Sequence, residues 1–268
     1  MKTNNSHDLY PEKSRVQKNY YDQTAKNYDR WHIEPASAKI VDGWNFSNLK
    51  KFIGARKIFR ALDLGCGTGR LANSLLSITA EVYGLDFSKE VIKIAQQKYP
   101  ALKLTCGQVV DLPYDNDIFD LVVINGSLHH FFAVERTLKE SRRVLKPGGF
   151  FVLLGEPNSQ FLKLSNIFFY IWLLNRIVVN IISFFKINKS LAEDIEPEAE
   201  SYVPARLREI IEAVGFKVVK FYTYDYLTRS ESKWWLKHYR AYLDWEHKNI
   251  SLIVKNRGAA IQCFAIKK

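Results

Sequence analysis

The hydrophobic and polar positions of the chain form short apolar runs separated by segments with helical periodicity. Apolar runs at residues 59–64, 81–85, 118–125 and 150–154 predict strands. The continuous run at 118–125 is typical of a strand buried on both faces. Segments 70–77, 88–99 and 134–145 have the pattern of helices. This alternation predicts an α/β fold, with a mostly parallel sheet between two layers of helices.

The first apolar run ends in a glycine-rich turn. Asp63 precedes three alternate glycines, Gly65, Gly67 and Gly69, and the following helix begins at once. In a strand, glycine turn and helix, the backbone approaches a ligand closely. A dinucleotide motif would need glycine where Arg70 stands, and a phosphate-binding loop would end in Gly-Lys-Ser/Thr. The acid before the glycines suggests instead a ligand with a cationic ammonium or sulfonium group.

A second acid, Asp86, ends the second predicted strand. A carboxylate at that point can accept hydrogen bonds from both hydroxyls of a ribose. Phe87 could then lie on a purine, and Ser88 could cap the next helix. The alternative for Asp86 is an acid that only shapes a turn, but its position and spacing favour ribose binding.

Several motifs together resemble one known family. The glycine turn, the stretch Thr105 to Tyr114 and the string Val-Leu-Lys-Pro-Gly-Gly at 144–149 are similar to motifs of the class I S-adenosylmethionine (SAM) dependent methyltransferases. Within the family, the similarity is greatest to the small-molecule branch that includes the ubiquinone and menaquinone biosynthesis methyltransferases. It covers roughly residues 57–157 closely. One departure is Gln108, where many relatives have an acid.

The resemblance implies a fold, a cofactor and a cofactor site. The implied fold is a doubly wound, mostly parallel sheet of seven strands, Rossmann-like, whose last two strands, at 216–224 and 258–266, form an antiparallel pair. The implied cofactor is SAM, with S-adenosylhomocysteine as its product. The residues expected to bind it are Tyr21, Tyr28, Asp63, Gly65, Cys66, Gly67, Asp86, Phe87, Gln108, Val109, Val110 and Asn125.

Two histidines follow the fourth predicted strand, where this fold places its reacting groups. His129 and His130 are the candidates for a general base, because imidazole can take a proton near neutral pH. We expect His130 to be the base ahead of His129. Alternatively, both are structural, one bonded to the backbone and the other packed near SAM.

Three segments outside the shared motifs set the expected domain organisation. Residues 1–56 are expected to form an N-terminal helical lid, and residues 57–268 a SAM-binding methyltransferase domain with cap insertions at about 157–203 and 227–249. The lid contains Tyr-Asp-x-x-Ala-x-x-Tyr-Asp at 21–29, which places Tyr21 and Tyr28 on one helical face. These tyrosines either contact SAM or the substrate, or pack the helix onto the core.

Both insertions are apolar or aromatic. Residues 166–185 are long enough to span a bilayer, but Arg176 in the middle would cost at least ~2.5 kcal/mol. We therefore expect an apolar cap over the active site, with peripheral membrane contact as the second interpretation. The other insertion places Trp235, His238, Tyr239 and Tyr242 on one helical face. That face could pack on the core, line the substrate pocket or meet another subunit.

Composition narrows the functional class. The three cysteines lack paired spacing, and the N-terminus is polar, so we expect a cytoplasmic protein without disulfides or a metal site. The net charge of +11 is spread along the chain, which favours a solvated basic surface. Attraction to an anionic substrate or lipid surface comes second, and RNA binding third. We expect no nucleic-acid partner.

The predicted function is SAM-dependent methylation of a hydrophobic small molecule, such as a prenyl, quinone-like or secondary-metabolite precursor. The substrate class depends on the apolar and aromatic insertions. Two alternatives remain open. One is a SAM-binding protein of the same fold without transferase activity, and the other is an enzyme that couples methylation to cyclisation or rearrangement.

Overall fold

Two helices precede an alternation of strands and helices. A computed structural model describes residues 10–32, 35–161, 174, 201–226, 231–253 and 256–268. The helices are α1 Tyr10–His32, α2 Ala36–Ile53, α3 Arg70–Leu75, α4 Lys89–Lys98, α5 Val134–Val144, α6 Pro204–Ala213 and α7 Lys233–Ile253, and a short 3₁₀ helix spans Leu128–His130. The strands are β1 Ile58–Leu64, β2 Thr79–Asp86, β3 Lys103–Cys106, β4 Phe119–Asn125, β5 Leu145–Pro157, β6 Phe216–Tyr224 and β7 Ala260–Lys267.

The seven strands form one sheet in the order β3-β2-β1-β4-β5-β7-β6. The first five in this order pair in parallel, and β7 runs antiparallel to both β5 and β6. This arrangement confirms the predicted fold class, including the final antiparallel pair. The strand order reverses between β1 and β4, so the carboxyl ends of these two strands flank the crevice in which such folds bind ligands.

Alternate residues of the central strands face the two helical layers. Leu62 and Leu64 pack in a core cluster with Leu138 of α5 and Ile211 of α6. Ala61, from the same strand, packs in a second cluster that also contains residues of α2 and α3. Because both faces of the sheet are covered, the central strands are mostly apolar, as the sequence predicted. The polar exceptions in β1 and β4 are Arg60, Asp63, Asp120 and Asn125.

The junction between α5 and β5 differs from the prediction. We expected the helix to reach residue 145 and a turn to separate it from a strand at 150. Instead, α5 ends at Val144 and β5 begins at Leu145. Leu145 already pairs with Phe119, and the register then shifts before Phe150 pairs with Leu121. The Pro-Gly-Gly sequence is therefore absorbed as an irregularity within the strand.

The two predicted insertions differ in how much of them the structure describes. Residues 162–173 and 175–200, with most of the apolar segment 166–185 and with Arg176, lie outside the described residues. The insertion at 227–249 contains most of α7, which packs Tyr239 and Leu243 against Trp44 of α2 and Tyr224 of β6. None of the helices described is both long and apolar enough to cross a membrane.

Candidate functional site

A cavity of about 890 Å³ opens at the carboxyl ends of β1 and β4. Its size lies within the range of sites for cofactors and small molecules. It is lined by ten of the predicted site residues: Tyr21, Tyr28, Gly65, Gly67, Asp86, Phe87, Gln108, Val109, Val110 and His130. Four others, Asp63, Cys66, Asn125 and His129, are not among the lining residues.

The glycine turn forms one wall of this cavity. Gly65 has φ +69°, and a Cβ atom there would lie 2.7 Å from the side chain of Ser127. The backbone N–H groups of Gly65 and Cys66 both donate to the carbonyl of Leu85, at 2.8 and 3.1 Å. The end of β2 therefore holds the turn, and the absence of a side chain at position 65 lets it pack against Ser127.

Asp86 joins the glycine turn to the start of α4. Its carboxylate accepts hydrogen bonds from the backbone N–H of Gly67 and of Ser88, each at 3.0 Å. Burial raises the pKa of the Asp86 carboxyl above its ordinary value. A carboxylate has about four acceptor positions, so these backbone bonds fix its orientation and leave acceptor capacity for hydroxyl groups in the cavity.

Asp63 has a different environment from Asp86. Its side chain is buried, and burial raises its pKa to about 8. The carboxyl makes a backbone hydrogen bond with Ala72, in the first turn of α3. Asp63 therefore contacts the N-terminus of α3, where a carboxyl group is favourable.

Helix α1 contributes two tyrosines to the cavity and two acids to its attachment. Tyr21 and Tyr28 line the cavity. Asp22 accepts a 2.6 Å bond from the hydroxyl of Ser88, the N-cap of α4. Asp29 accepts a 2.5 Å bond from Thr68 in the glycine turn. The repeat seen in the sequence thus orients each tyrosine toward the cavity, while the following acid attaches the helix to the start of α4 or to the glycine turn.

The charge of Asp22 is stabilised locally. Burial alone would raise its pKa, but hydrogen bonds from Lys18 and Ser88 outweigh that effect and hold the pKa below the ordinary value. Asp29 also forms an ion pair with Lys98 of α4. Both acids are therefore anchoring groups, a role that the sequence pattern did not reveal.

A buried glutamate organises the histidine pair. Glu156, at the end of β5, is fully buried and accepts four hydrogen bonds. Backbone N–H groups of Ser127 and Leu128 donate to Oε1 at 3.0 Å. The backbone N–H and Nδ1 of His129 contact Oε2 at 3.1 and 2.9 Å. Sequence reasoning missed Glu156, although an acid at the carboxyl end of an apolar strand was the available signal.

The neighbouring His130 lies on the cavity side of this segment. Its Nε2 is 3.1 Å from the hydroxyl of Tyr21. The rings of His129 and His130 are 3.9 Å apart. Glu156 thus fixes the short helix that carries both rings, and the structure brings His130 and the lid tyrosine together at the cavity.

Beyond His130, the cavity wall becomes apolar and then charged. Phe131, Phe132 and Val134 line it with apolar surface, and Arg136 and Lys139 line it further along α5. Glu135 also lines this half and forms an ion pair with Lys139 at 2.8 Å. This half can accept an apolar ring or chain, and its one net positive charge favours an anionic group on the same molecule.

The residues at the other end of the cavity, around the glycine turn and Asp86, fit a nucleoside-containing cofactor. Asp86 offers acceptors for two hydroxyls, and Gln108 offers both an acceptor and a donor for a base. Phe87 and Val109 provide apolar surface for the base. Gly67, with φ +54°, lines the cavity beside the ring of Tyr28. This donor set and cradle match SAM.

The family model that this chain matches and two relatives of similar sequence are methyltransferases. Residues 62–153 match the family model described as a methyltransferase domain. A demethylmenaquinone methyltransferase of Symbiobacterium thermophilum is 27% identical over 76% of this chain and 86% of its own length. That of Lysinibacillus sphaericus is 32% identical over 52% of this chain, which covers 62% of that relative's length.

Solved structures agree on the fold. A SAM-dependent methyltransferase of Thermotoga maritima, described as a possible histamine N-methyltransferase, superposes with a TM-score of 0.59. The alignment covers 92% of this chain and 98% of that chain, at 17% identity. At this identity, the similarity concerns the fold.

Proposed function

We propose that this chain is a class I SAM-dependent methyltransferase, akin to those of menaquinone biosynthesis, and that it transfers a methyl group from SAM to a hydrophobic, quinone-like small molecule. One observation carries the proposal. A single cavity joins the glycine turn and Asp86 at one end to Phe131, Phe132 and Val134 at the other. Cofactor and acceptor could thus lie in contact, with His130 between the two halves.

SAM supplies a methyl group already activated by a positively charged sulfur. The protein's part is to align the acceptor with that group and to exclude water. Asp86 and the glycine turn hold the nucleoside end, while α1 covers the cavity with Tyr21 and Tyr28. His130 takes a proton where the acceptor must lose one, and Tyr21, 3.1 Å from its Nε2, orients the ring.

The acceptor is proposed to be apolar with an anionic group. Arg136, Lys139 and Glu135 line the cavity on the acceptor side, and Glu135 forms an ion pair with Lys139 at 2.8 Å. One net positive charge remains on this wall, and a negative charge on the acceptor would be attracted to it. Such amphiphilic molecules partition into lipid, so we place the protein in the cytoplasm with peripheral contact at a membrane surface.

The test has two stages. S-adenosylhomocysteine is first titrated into the protein by calorimetry, where micromolar binding is expected. The protein is then incubated with SAM carrying an isotopic methyl label and a panel of demethylated quinols, and the products are analysed by mass spectrometry. Label in a quinol supports the proposal, whereas cofactor binding with label only in RNA or protein would refute it.

The His130→Ala variant tests the proton-transfer step. We expect a loss of turnover on the order of 10²-fold or more, with little change in affinity for S-adenosylhomocysteine because Asp86 and the glycine turn hold the nucleoside end. Retained turnover would exclude the general-base role. A product with a new ring, in addition to a new methyl group, would favour the alternative in which methylation is coupled to cyclisation.

A further inference from the structure

The outer face of α7 carries large aromatic side chains in solvent. Trp234 and Trp245 are 69% and 53% exposed, although tryptophan is usually largely buried in folded proteins. The exposed residues Lys237, His238 and Lys248 lie on the same helix. At 100° per residue these five positions fall within an arc of about 100°. We call Trp234, Lys237, His238, Trp245 and Lys248 the Trp–Lys face.

Packing prevents this face from turning inward. On the opposite side of α7, Tyr239 and Leu243 are completely buried against the core. Glu246, also buried, accepts hydrogen bonds from the backbone N–H of Asp225 and Tyr226, at 2.6 and 2.9 Å. The helix orientation is therefore fixed, and the tryptophans remain outside.

The charge around the Trp–Lys face is positive. Where side chains of α7 are described, at 233–250, no exposed residue is acidic. Asp244 is half-buried and accepts a bond from Trp44 Nε1. Glu231, exposed just before the helix, accepts hydrogen bonds from the backbone N–H groups of Ala36 and Ser37, at 3.0 and 3.1 Å, whereas Lys233, Lys237 and Lys248 are exposed on the helix itself. The potential near this face thus favours a negatively charged partner.

The position of α7 relates the face to the cavity. Pro157, at the end of β5, pairs with Ala260 at the start of β7, and Ala260 pairs with Tyr224 at the end of β6. Helix α7 is inserted between Tyr224 and Ala260, so it leaves and rejoins the sheet at the edge where the cavity opens.

We propose that the Trp–Lys face docks the protein onto an anionic lipid surface. Tryptophan rings sit at the level of lipid headgroups, and lysines reach past them to the phosphates. The composition argues for lipid rather than protein, because lysine is depleted at protein–protein interfaces. This inference deepens the proposed membrane contact, but vesicle binding requires no methyl acceptor and is measured apart from methyl transfer.

The experiment is co-sedimentation of the full chain with vesicles of phosphatidylglycerol mixed with phosphatidylcholine, and with vesicles of phosphatidylcholine alone. Two variants alter the face: Trp234→Ser with Trp245→Ser, and Lys237→Glu with Lys248→Glu. Two controls lie elsewhere: Phe59→Ser, which is also an exposed aromatic side chain (54%), and Lys57→Glu with Lys93→Glu, which changes the net charge equally.

We expect binding to the anionic vesicles that weakens as salt is added, and weak binding to the neutral ones. The lysine variant should lose about 30-fold in partitioning or more, and the tryptophan variant at least about 10-fold. The Phe59→Ser control should bind the anionic vesicles like the wild type. The lysine control should lose a few-fold at most.

Three results would overturn the inference. These are no vesicle binding by the wild type, equal losses in face and control variants, or a dimer that the tryptophan variant dissociates while vesicle binding is unchanged. The last result would make the face a contact between two copies. S-adenosylhomocysteine affinity and the melting temperature, measured for each variant, separate loss of docking from loss of fold.

Discussion

Replacing Glu156 should lower the free energy of unfolding by more than most single substitutions do, because several hydrogen bonds end on its carboxylate. Its carboxylate is fully buried, accepts hydrogen bonds from the backbone N–H groups of Ser127, Leu128 and His129, and also contacts His129 Nδ1. Each buried donor left without an acceptor costs about 1–3 kcal/mol. Partial hydration and rotation of the histidine ring will recover some of this. For Glu156→Ala we therefore expect a loss of about 4 kcal/mol in the free energy of unfolding.

The Glu156→Gln variant separates the hydrogen bonds that end on Oε1 from those that end on Oε2. A glutamine keeps one oxygen, which can still serve Ser127 and Leu128, and turns its NH₂ group toward His129. The histidine ring can change tautomer and accept, but the backbone N–H of His129 cannot. The expected loss is about 2 kcal/mol, half that of the alanine variant. Glu209→Gln, at an exposed ion pair with Arg206, is the control and should change stability by at most about 0.5 kcal/mol.

The assay is urea denaturation followed by circular dichroism, with amide hydrogen exchange as the local readout. At 268 residues, a loss of 4 kcal/mol corresponds to a melting temperature lower by roughly 8–16 °C. Exchange should accelerate at residues 127–129, and affinity for S-adenosylhomocysteine should change little because Asp86 is held independently. If Glu156→Ala stayed within about 1 kcal/mol of the wild type, the buried glutamate would not be the anchor of this segment.

Three further predictions concern residues at the carboxyl ends of β1 and β2. Asp86→Ala should weaken S-adenosylhomocysteine binding about 100-fold, because two hydrogen bonds to a carboxylate are lost; calorimetry showing an unchanged Kd would exclude ribose binding by this residue. Gly65→Ala should abolish that binding and lower stability by more than about 2 kcal/mol, since its Cβ would lie 2.7 Å from Ser127. Its control Gly54→Ala has a similar φ, +61°, but no atom within 4 Å of the new Cβ, and should cost only about 1 kcal/mol in urea denaturation. Burial raises the pKa of Asp63 to about 8, so the folded state retains a proton that the unfolded state loses near its ordinary value, and stability should fall as pH rises from about 5 to about 8. Asp63→Asn should lack this component, and identical pH slopes for the two proteins would contradict it.

The fold was largely predictable because the sheet requires apolar strands and glycine turns, and both are visible as local patterns in the sequence. A strand covered on both faces must be mostly apolar, and the runs at 59–64 and 118–125 showed this directly. The glycine turn was equally visible, because positive φ at three alternate positions requires glycine. The α5–β5 junction was less predictable, since it depends on the pairing of Leu145 with Phe119 across the sheet.

The cofactor side of the site was predictable for the same reason. Asp86 ends strand β2 and Phe87 follows it. Because the carboxyl end of this strand faces the crevice, their positions along the chain placed them at the cavity. Asp63 sits one residue before the end of its strand, and the structure places it against the start of α3 instead. The residue pattern alone does not show which of these two acids reaches the cavity.

The sequence by itself determined the class of fold, the glycine turn and the spacing of the lid tyrosines, because each is a local property of neighbouring residues. Only the tertiary structure decided that Asp22 and Asp29 attach the lid, that Glu156 holds the histidine segment from 27 residues away, and that α7 leaves two tryptophans in solvent. These roles depend on which groups meet across the fold. A buried carboxylate must find donors, and a helix must bury one face, but their partners are set by the packing of the whole sheet.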